Sequence, residues 1–321
     1  MLQYIMFLVG FFLLIKGADY LVTGAKSLAK SLRVSPLIIG LTIVALGTTL
    51  PELSVNLTAA IKGTTDIVLG NIIGSNLANI LLILGLAAII LPLKVEWATI
   101  KKEIPFNIIA VLVLIISATD GFVRNNSAGI IERTEGMIYL CFFILFIYYI
   151  YLLVKQQRKD IGKKHLKAVK HHYLLTALMI IGGIIGLYIG GRWVVDGAVM
   201  IARNFGLSEF LISATIIAIG TSLPELTTAL TAAFKKSTDI AVGNIIGSNV
   251  FNVFWILGIS SVIRPIPIAR IFIIDLFFLL FITSLFIMFM FRSKDNKLVR
   301  WEGITFIILY IAYILFNIYR G

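Results

Sequence analysis

Gly47-Thr48-Thr49-Leu50-Pro51-Glu52 interrupts an otherwise apolar stretch, and Gly220-Thr221-Ser222-Leu223-Pro224-Glu225 repeats it almost letter for letter. Each copy places one carboxylate, two hydroxyls and a proline where a lipid-facing segment would carry Leu or Ile. An ionisable side chain at bilayer depth costs roughly 2.5 kcal/mol or more, so such residues usually mark a pathway or a binding site. The two motifs therefore indicate a functional site inside a membrane.

The composition is that of a polytopic membrane protein. The 321 residues are 59% hydrophobic and 14% charged, with a mean hydropathy of +1.00, which a soluble domain does not carry on its surface. Runs of about 17 to 25 apolar residues, long enough to span a bilayer, begin near ten positions: Leu2, Pro36, Ile67, Ile104, Gly136, Tyr173, Glu209, Ile240, Ile271 and Glu302. The first run has no basic residue before it and no cleavage site after it, which predicts a retained span.

The net charge of +12 is concentrated in alternate connections between these runs. The basic clusters lie at residues 26–33, 94–102, 155–170, 235–236 and 292–300. This asymmetry indicates membrane topology and not a nucleic-acid partner, and it predicts external termini and a cytoplasmic linker at residues 155–172. We interpret the linker, with His165, His171 and His172, as a solvated basic segment. A lipid head-group or metal role is the alternative, but no Cys or carboxylate pair at ligand spacing accompanies the histidines.

An internal duplication organises the chain. Residues 17–85 align with residues 190–258 without a gap, at a constant offset of 173. Five predicted spans separate each residue from its copy, and an odd number reverses the direction of crossing. The sequence therefore predicts an all-α membrane protein with ten transmembrane helices. We expect two inverted five-helix repeats, residues 1–154 and 173–321, joined by the linker 155–172.

The repeated break supplies oxygen ligands. Pro51 and Pro224 lack an N–H group, which predicts free carbonyls around residues 45–47 and 218–220. Together with Glu52, Glu225 and the neighbouring hydroxyls, these carbonyls suit a hard cation such as Ca²⁺ or Na⁺ and argue against zinc or copper. No Lys or Arg lies near either glutamate in sequence, so we expect a mobile cation to be their counter-charge.

A second repeated motif adds a polar stripe. GNIIGSNLAN at residues 70–79 recurs as GNIIGSNVFN at residues 243–252. Helical spacing places Ser75 and Asn79 on one face, likewise Ser248 and Asn252, and Asn71 and Asn244 extend each stripe by one turn. Close helix packing is the alternative role, and it suits the glycines. For the Ser and Asn pairs we predict coordination, because the same stripe follows a carboxylate in both halves.

These motifs resemble those of the cation/calcium exchanger superfamily, most closely the sodium/calcium exchanger type with its two alpha repeats. The resemblance implies a Ca²⁺ site made by the carboxylates of Glu52 and Glu225 with the carbonyls of Thr48 and Thr221. It also implies flanking Na⁺ sites, with Asn79 and Asn252 closing the middle of the cluster. The Na⁺ ligands would be the hydroxyls of Thr48, Ser75, Thr221 and Ser248, the carbonyls of Ala45 and Ala218, and neighbouring Thr49 and Ser222.

The resemblance implies a secondary antiporter in the cell membrane that exchanges Na⁺ for Ca²⁺ by alternating access and extrudes Ca²⁺. Residues 2–30 and 175–203, which have no polar break, would slide as a gating pair. We expect no enzymatic activity and no resident cofactor. Ca²⁺ and Na⁺ would be the substrates, and the lipid bilayer would surround the protein. We expect no nucleic-acid partner and no obligate protein partner.

Other functions remain alternatives. The potassium-dependent branch carries an acid at the position of Asn252, and the proton-coupled branch carries one inside the second motif, where residues 70–79 have none. A cation channel could also use carbonyl and Glu ligands, although two non-identical inverted half-sites argue against a symmetric pore. An intramembrane enzyme using Glu52 and Glu225 as acid and base would lack a nucleophile.

Overall fold

The computed structural model describes residues 2–94, 103–125, 129–162, 172–205, 218–292 and 296–320. These residues form helices joined by short turns and four very short strands. The helices are α1 Leu2–Leu32, α2 Pro36–Thr48, α3 Leu50–Lys62, α4 Thr65–Ile90, α5 Ile104–Asn125, α6 Arg133–Gly162, α7 Tyr173–Asn204, α8 Ala218–Thr221, α9 Leu223–Phe234, α10 Thr238–Ile263, α11 Arg270–Arg292 and α12 Arg300–Arg320. The strands are β1 Leu93–Lys94, β2 Gly129–Ile131, β3 Ile266–Ile268 and β4 Lys297–Leu298.

The prediction of an all-helical membrane protein is confirmed. Among the described residues, seven helices are long and apolar enough to cross a bilayer, and the pair α2 and α3, bent by 47°, would make an eighth. The apolar part of α5, Ile104–Asp120, is shorter. The predicted span near Glu209 falls in residues 206–217, outside the described residues. The count of ten spans therefore stays a prediction.

The first half of the predicted basic linker is helical. Helix α6 continues to Gly162, because Lys155, Gln156, Gln157 and Arg158 are good helix formers. Residues 163–171, with His165 and His171, lie outside the described residues.

Each proline motif breaks a helix as predicted. Thr49 separates α2 from α3, and Ser222 separates α8 from α9. Pro51 and Pro224 are the second residues of the helices that follow, where a missing N–H group removes no intrahelical hydrogen bond. The prolines thus start a new helix, and this places each glutamate in a first turn.

Helices α1 and α7 pack against each other through glycines that are related by the repeat. A Cβ atom added to Gly17 would lie 2.9 Å from the carbonyl oxygen of Gly183, and one added to Gly10 would lie 3.0 Å from that of Gly190. Gly10 and Gly183 are equivalent at the offset of 173, as are Gly17 and Gly190. The contact is therefore reciprocal, and small residues let the two backbones approach closely.

Helices α4 and α10 occupy the centre of the molecule. The best apolar windows of these helices are 78% and 83% buried, whereas those of the other long helices are 17–33% buried. Both central helices contain a π-helical segment at equivalent positions, Ala78–Leu84 and Phe251–Leu257. The strands pair β1 with β4 and β2 with β3, antiparallel, which ties the ends of α4 and α10 to connections in the opposite half.

Candidate cation site

Two buried glutamates face the interior of the helix assembly. Glu52 in the first turn of α3 is 1% exposed, and Glu225 in the first turn of α9 is 0% exposed. All four of their carboxylate oxygens are buried, and none has a hydrogen-bond partner among the described residues. A helix N-terminus favours a negative charge, but a buried carboxylate without a partner is costly. Bound cations would satisfy these oxygens.

The two glutamates belong to one cluster that both halves build. The carboxylates lie within electrostatic range of each other, with the Ser222 hydroxyl near Glu52. The hydroxyls of Thr48 and Ser248 lie near Glu225. Each carboxylate is thus next to a hydroxyl from the opposite copy of the break, so the predicted convergence of the two breaks is present.

Hydrogen bonds across the halves orient the threonines of the two motifs. Thr48 Oγ1 donates to Asn244 Oδ1 over 3.0 Å, and Thr221 Oγ1 donates to Asn71 Oδ1 over 3.2 Å. Asn71 and Asn244, predicted to extend the polar stripes, thereby hold the broken segment of the other half.

The carbonyl of Ala45 is already engaged. It accepts the N–H group of Thr49 over 3.0 Å and the hydroxyl of Thr49 over 2.7 Å. In the second half the Ser222 N–H group bonds instead to the carbonyl of Ile219 over 3.1 Å. Ala218, which begins α8, is one residue earlier, so the two half-sites differ in their backbone hydrogen bonding.

Four asparagines connect α4 and α10 at the middle of the cluster. Asn79 Nδ2 donates to Asn249 Oδ1 over 2.8 Å, and Asn252 Nδ2 donates to Asn76 Oδ1 over 3.0 Å. The amide oxygens of Asn79 and Asn252 are buried without a partner in the described part of the chain. Asn76 and Asn249 were not predicted as site residues, although their position in the repeated GSN motif was a usable signal.

The serines of the second motif also lie in this cluster. Ser222 Oγ is 3.4 Å from Ser75 Oγ. Ser248 Oγ is buried without a partner in the described residues. These positions place all twelve predicted site residues on the broken helices and the adjacent central helices.

The side chains of the cluster offer oxygen ligands, which suit a hard cation. Among the described residues no group of three or more His, Cys, Asp or Glu side chains could hold a metal ion. The available ligands are two carboxylates with amide and hydroxyl oxygens, which suit Ca²⁺ and Na⁺ and do not suit softer transition metals.

A cavity of about 320 Å³ leads toward the cluster between α3, α7 and α9. Its floor includes Pro51, Thr221 and Pro224, and α7 contributes Tyr188, Arg192 and Asp196 to its wall. The cavity therefore reaches Thr221, one of the predicted site residues, and the first turns of α3 and α9.

A buried oxygen-lined cluster, reached through one cavity and built on repeated broken helices, defines a multi-pass membrane transporter of hard cations. The family model for sodium/calcium exchanger proteins matches residues 2–152 and residues 175–319. The chain therefore belongs to the sodium/calcium exchanger family, which consists of cation/calcium antiporters that transport Na⁺ and Ca²⁺.

Named relatives of this chain are consistent with membership of this family. The putative antiporter CaxA of Alkalimonas amylolytica is 41% identical over 263 residues, covering 80% of each chain. The sodium/calcium exchanger MaX1 of Methanosarcina acetivorans is 30% identical, with 99% of both chains covered. A solved structure of the sodium–calcium exchanger NCX_Mj is 33% identical and superposes with a TM-score of 0.81 over 98% of both chains.

Proposed function

We propose that this protein exchanges Na⁺ for Ca²⁺ across the membrane. The observation that carries the proposal is that the four buried carboxylate oxygens of Glu52 and Glu225 have no hydrogen-bond partner among the described residues. Either one Ca²⁺ or Na⁺ ions can neutralise this pair, but the cluster cannot accommodate both fully at once. Competition for the same oxygens would couple the two fluxes.

The proposed ligands are those expected from the sequence. Glu52 and Glu225 with the Thr48 and Thr221 carbonyls would bind Ca²⁺. The oxygens of Ser248, Asn79 and Asn252, which have no hydrogen-bond partner in the described part of the chain, support additional ion positions around this centre. The engaged carbonyl of Ala45 would make a weaker ligand than a free one, because it already accepts three hydrogen bonds, two from Thr49 and one from the Thr48 hydroxyl.

The proposed architecture is ten spans in two inverted repeats. Two observations support it: equivalent elements recur at the offset of 173, and the family model matches each half separately. The proposed orientation, with the termini outside and the linker inside, rests on the basic connections. In that orientation the cavity beside Asp196 opens to the outside.

The proposed direction is Ca²⁺ extrusion. If more positive charge enters with Na⁺ than leaves with Ca²⁺, the membrane potential adds about 2.3 kcal/mol per charge per 100 mV to the sodium gradient. MaX1 and NCX_Mj, which are similar over nearly the whole chain, are both called sodium/calcium exchangers.

The test is ⁴⁵Ca²⁺ uptake by proteoliposomes loaded with Na⁺ and diluted into buffer without Na⁺ or K⁺. We expect uptake that needs internal Na⁺ and does not respond to an imposed pH gradient of either sign. Uptake driven by the pH gradient without Na⁺ would instead establish proton coupling, and a requirement for K⁺ would establish the potassium-dependent type. Conductive flux without counter-transport would identify a channel.

A further inference from the structure

One ion pair connects the long helix α1 to the helix that carries Glu225. Lys235 follows the last residue of α9, and its Nζ lies 2.6 Å from the carboxylate of Asp19 on α1. The same ammonium donates to the hydroxyl of Thr23 over 2.5 Å and to the carbonyl of Asp19 over 3.0 Å. Lys26 of α1 donates in turn to the carbonyl of Lys235 over 2.8 Å. Four polar contacts thus fasten α1 to α9 at one face.

The repeat places a matching set of residues at the opposite face. At the offset of 173, Lys62 corresponds to Lys235, and Asp196 corresponds to Thr23. Arg192 corresponds to Asp19. The first half therefore also has a lysine ending the helix that carries its glutamate, and the long helix of the second half carries a carboxylate. That carboxylate is one helical turn further along than in the first half.

This second set is not fastened in the structure. Asp196 is 3.8 Å from Arg192 on its own helix, and these two side chains are 66% and 72% exposed. Both line the cavity that approaches Thr221. Lys62 is exposed at the end of α3. One face is thus closed by an ion pair, and the equivalent face is open to the cavity.

We propose that Lys235–Asp19 and Lys62–Asp196 are two alternating ion latches, one for each face of the transporter. The proposal rests on the alternating access of the proposed function. In the observed state Lys235 holds α1 against α9 and closes the face that carries the basic loops. When inverted repeats exchange conformations, α7 takes the position toward α3 that α1 now has toward α9. Lys62 then reaches Asp196, which it shares with Arg192, and the opposite face closes.

The two latches differ in strength. Lys235 meets the carboxylate of Asp19 and the hydroxyl of Thr23, while Lys26 of α1 binds the carbonyl of Lys235. Lys62 must instead share Asp196 with Arg192, because Asp196 already has this neighbour four residues away. The charge pattern therefore favours the state in which the face beside Asp19 is closed.

Two cysteine reporters distinguish the states in full-length protein, reconstituted in nanodiscs so that a charged thiol reagent reaches both faces. Ser54 lines the observed cavity, and Thr227 is its equivalent at the offset of 173. Ser54→Cys reports one open face and Thr227→Cys the other, each in a Cys141→Ala background that removes the single native cysteine. The measured quantity is the ratio of the two labelling rates.

Lys235→Gln should lower the ratio of Ser54→Cys to Thr227→Cys labelling roughly threefold, as expected for a partly exposed ion pair. Lys62→Gln should leave the ratio unchanged or raise it. The charge exchange Asp19→Lys with Lys235→Asp should restore the parent ratio, and Lys236→Gln is the matched control. A Lys235→Gln ratio equal to that of Lys236→Gln, or a charge exchange that fails to restore it, would overturn the proposal.

Labelling reports conformation and not transport. A shift in labelling without Na⁺-dependent Ca²⁺ uptake would contradict the proposed function and leave the latches standing. Normal uptake with no shift in labelling would contradict the latches alone.

Discussion

Thr48 on α2 donates a hydrogen bond to Asn244 on α10 over 3.0 Å, and the equivalent pair, Thr221 and Asn71, makes the same bond over 3.2 Å. Each bond joins the broken segment of one half to a central helix of the other. The hydroxyl of Thr48 also lies near the Glu225 carboxylate. The bond from Thr48 therefore fixes a group beside the proposed ion ligands.

Asn244→Ala should weaken ion binding more than Asn71→Ala. Asn244 is fully buried, whereas Asn71 is partly exposed, so water can replace the lost partner only for Thr221. We expect the apparent affinity for Ca²⁺ to fall about threefold to tenfold in Asn244→Ala, which corresponds to roughly 0.5–1.5 kcal/mol for one lost hydrogen bond, because the Thr48 hydroxyl keeps the carbonyl of Ala45 as an acceptor at 3.3 Å. Concentration dependence of ⁴⁵Ca²⁺ uptake measures the effect, and equal affinities in the two variants would contradict it.

Glu52→Gln and Glu225→Gln should each abolish Na⁺-dependent Ca²⁺ uptake, with a loss of at least about a hundredfold in rate at low Ca²⁺. Each variant removes one of the two negative charges that are buried without a partner among the described residues, and a charged ligand contributes more than a neutral amide to binding a divalent cation. Uptake assays on equal amounts of reconstituted protein give the rates.

A second measurement separates binding from folding. Ca²⁺ should raise the unfolding temperature of the parent, because a ligand that binds only the folded state stabilises it, and this shift should vanish in Glu52→Gln. Glu132→Gln, at an exposed position just before α6, is the matched control and should keep both uptake and the Ca²⁺-dependent shift. A Glu52→Gln variant with normal exchange would remove this residue from the site.

The sequence was sufficient to predict the breaks and the residues that converge on them. Because the two motifs recur at one offset, Glu52 and Glu225 could be predicted to face one another, and helical spacing placed Ser248 and Asn252 on one stripe. Periodicity could not predict which partner each amide selects. The bonds from Asn79 to Asn249 and from Asn252 to Asn76 depend on the relative height of α4 and α10, which tertiary packing sets.

Some local features also lay beyond the sequence pattern. The carbonyl of Ala45 was predicted to be free because of Pro51, yet the neighbouring Thr49 supplies both an amide and a hydroxyl to it. The π-helical segments Ala78–Leu84 and Phe251–Leu257 have no composition signal of their own. The ion pair of Lys235 with Asp19 joins residues that are 216 positions apart in the sequence, so no local pattern could predict it.

Arg320 and Asp275 should contribute to stability without affecting ion affinity. The guanidinium contacts both carboxylate oxygens of Asp275, over 2.8 and 3.2 Å, and the carboxylate side chain is only 5% exposed. Arg320→Met leaves that carboxylate buried without its cation, so we expect a loss of about 3 kcal/mol in stability. The double variant Asp275→Leu with Arg320→Met should recover most of it.

Thermal unfolding of the detergent-purified protein reports this stability, and ⁴⁵Ca²⁺ uptake gives the apparent KM. An Arg320→Met variant that changes the KM while leaving the unfolding temperature intact would be the opposite of the expected result.

Gly183 and Gly182 provide a direct test of the close contact between α1 and α7. A Cβ atom at Gly183 would lie 2.8 Å from the carbonyl oxygen of Gly17 and 2.8 Å from the amide nitrogen of Leu21, whereas one at Gly182 would have no atom within 4 Å. Because both clashing atoms belong to the backbone, a side-chain rotation cannot relieve the contacts, and α7 must move away from α1.

Gly183→Ala should therefore lower the unfolding temperature and slow exchange. Gly182→Ala makes the same chemical change on the same helix and should leave both quantities at the parent values. Equal behaviour of the two variants would show that α1 and α7 do not depend on this contact, either for stability or for the movement that exposes the site.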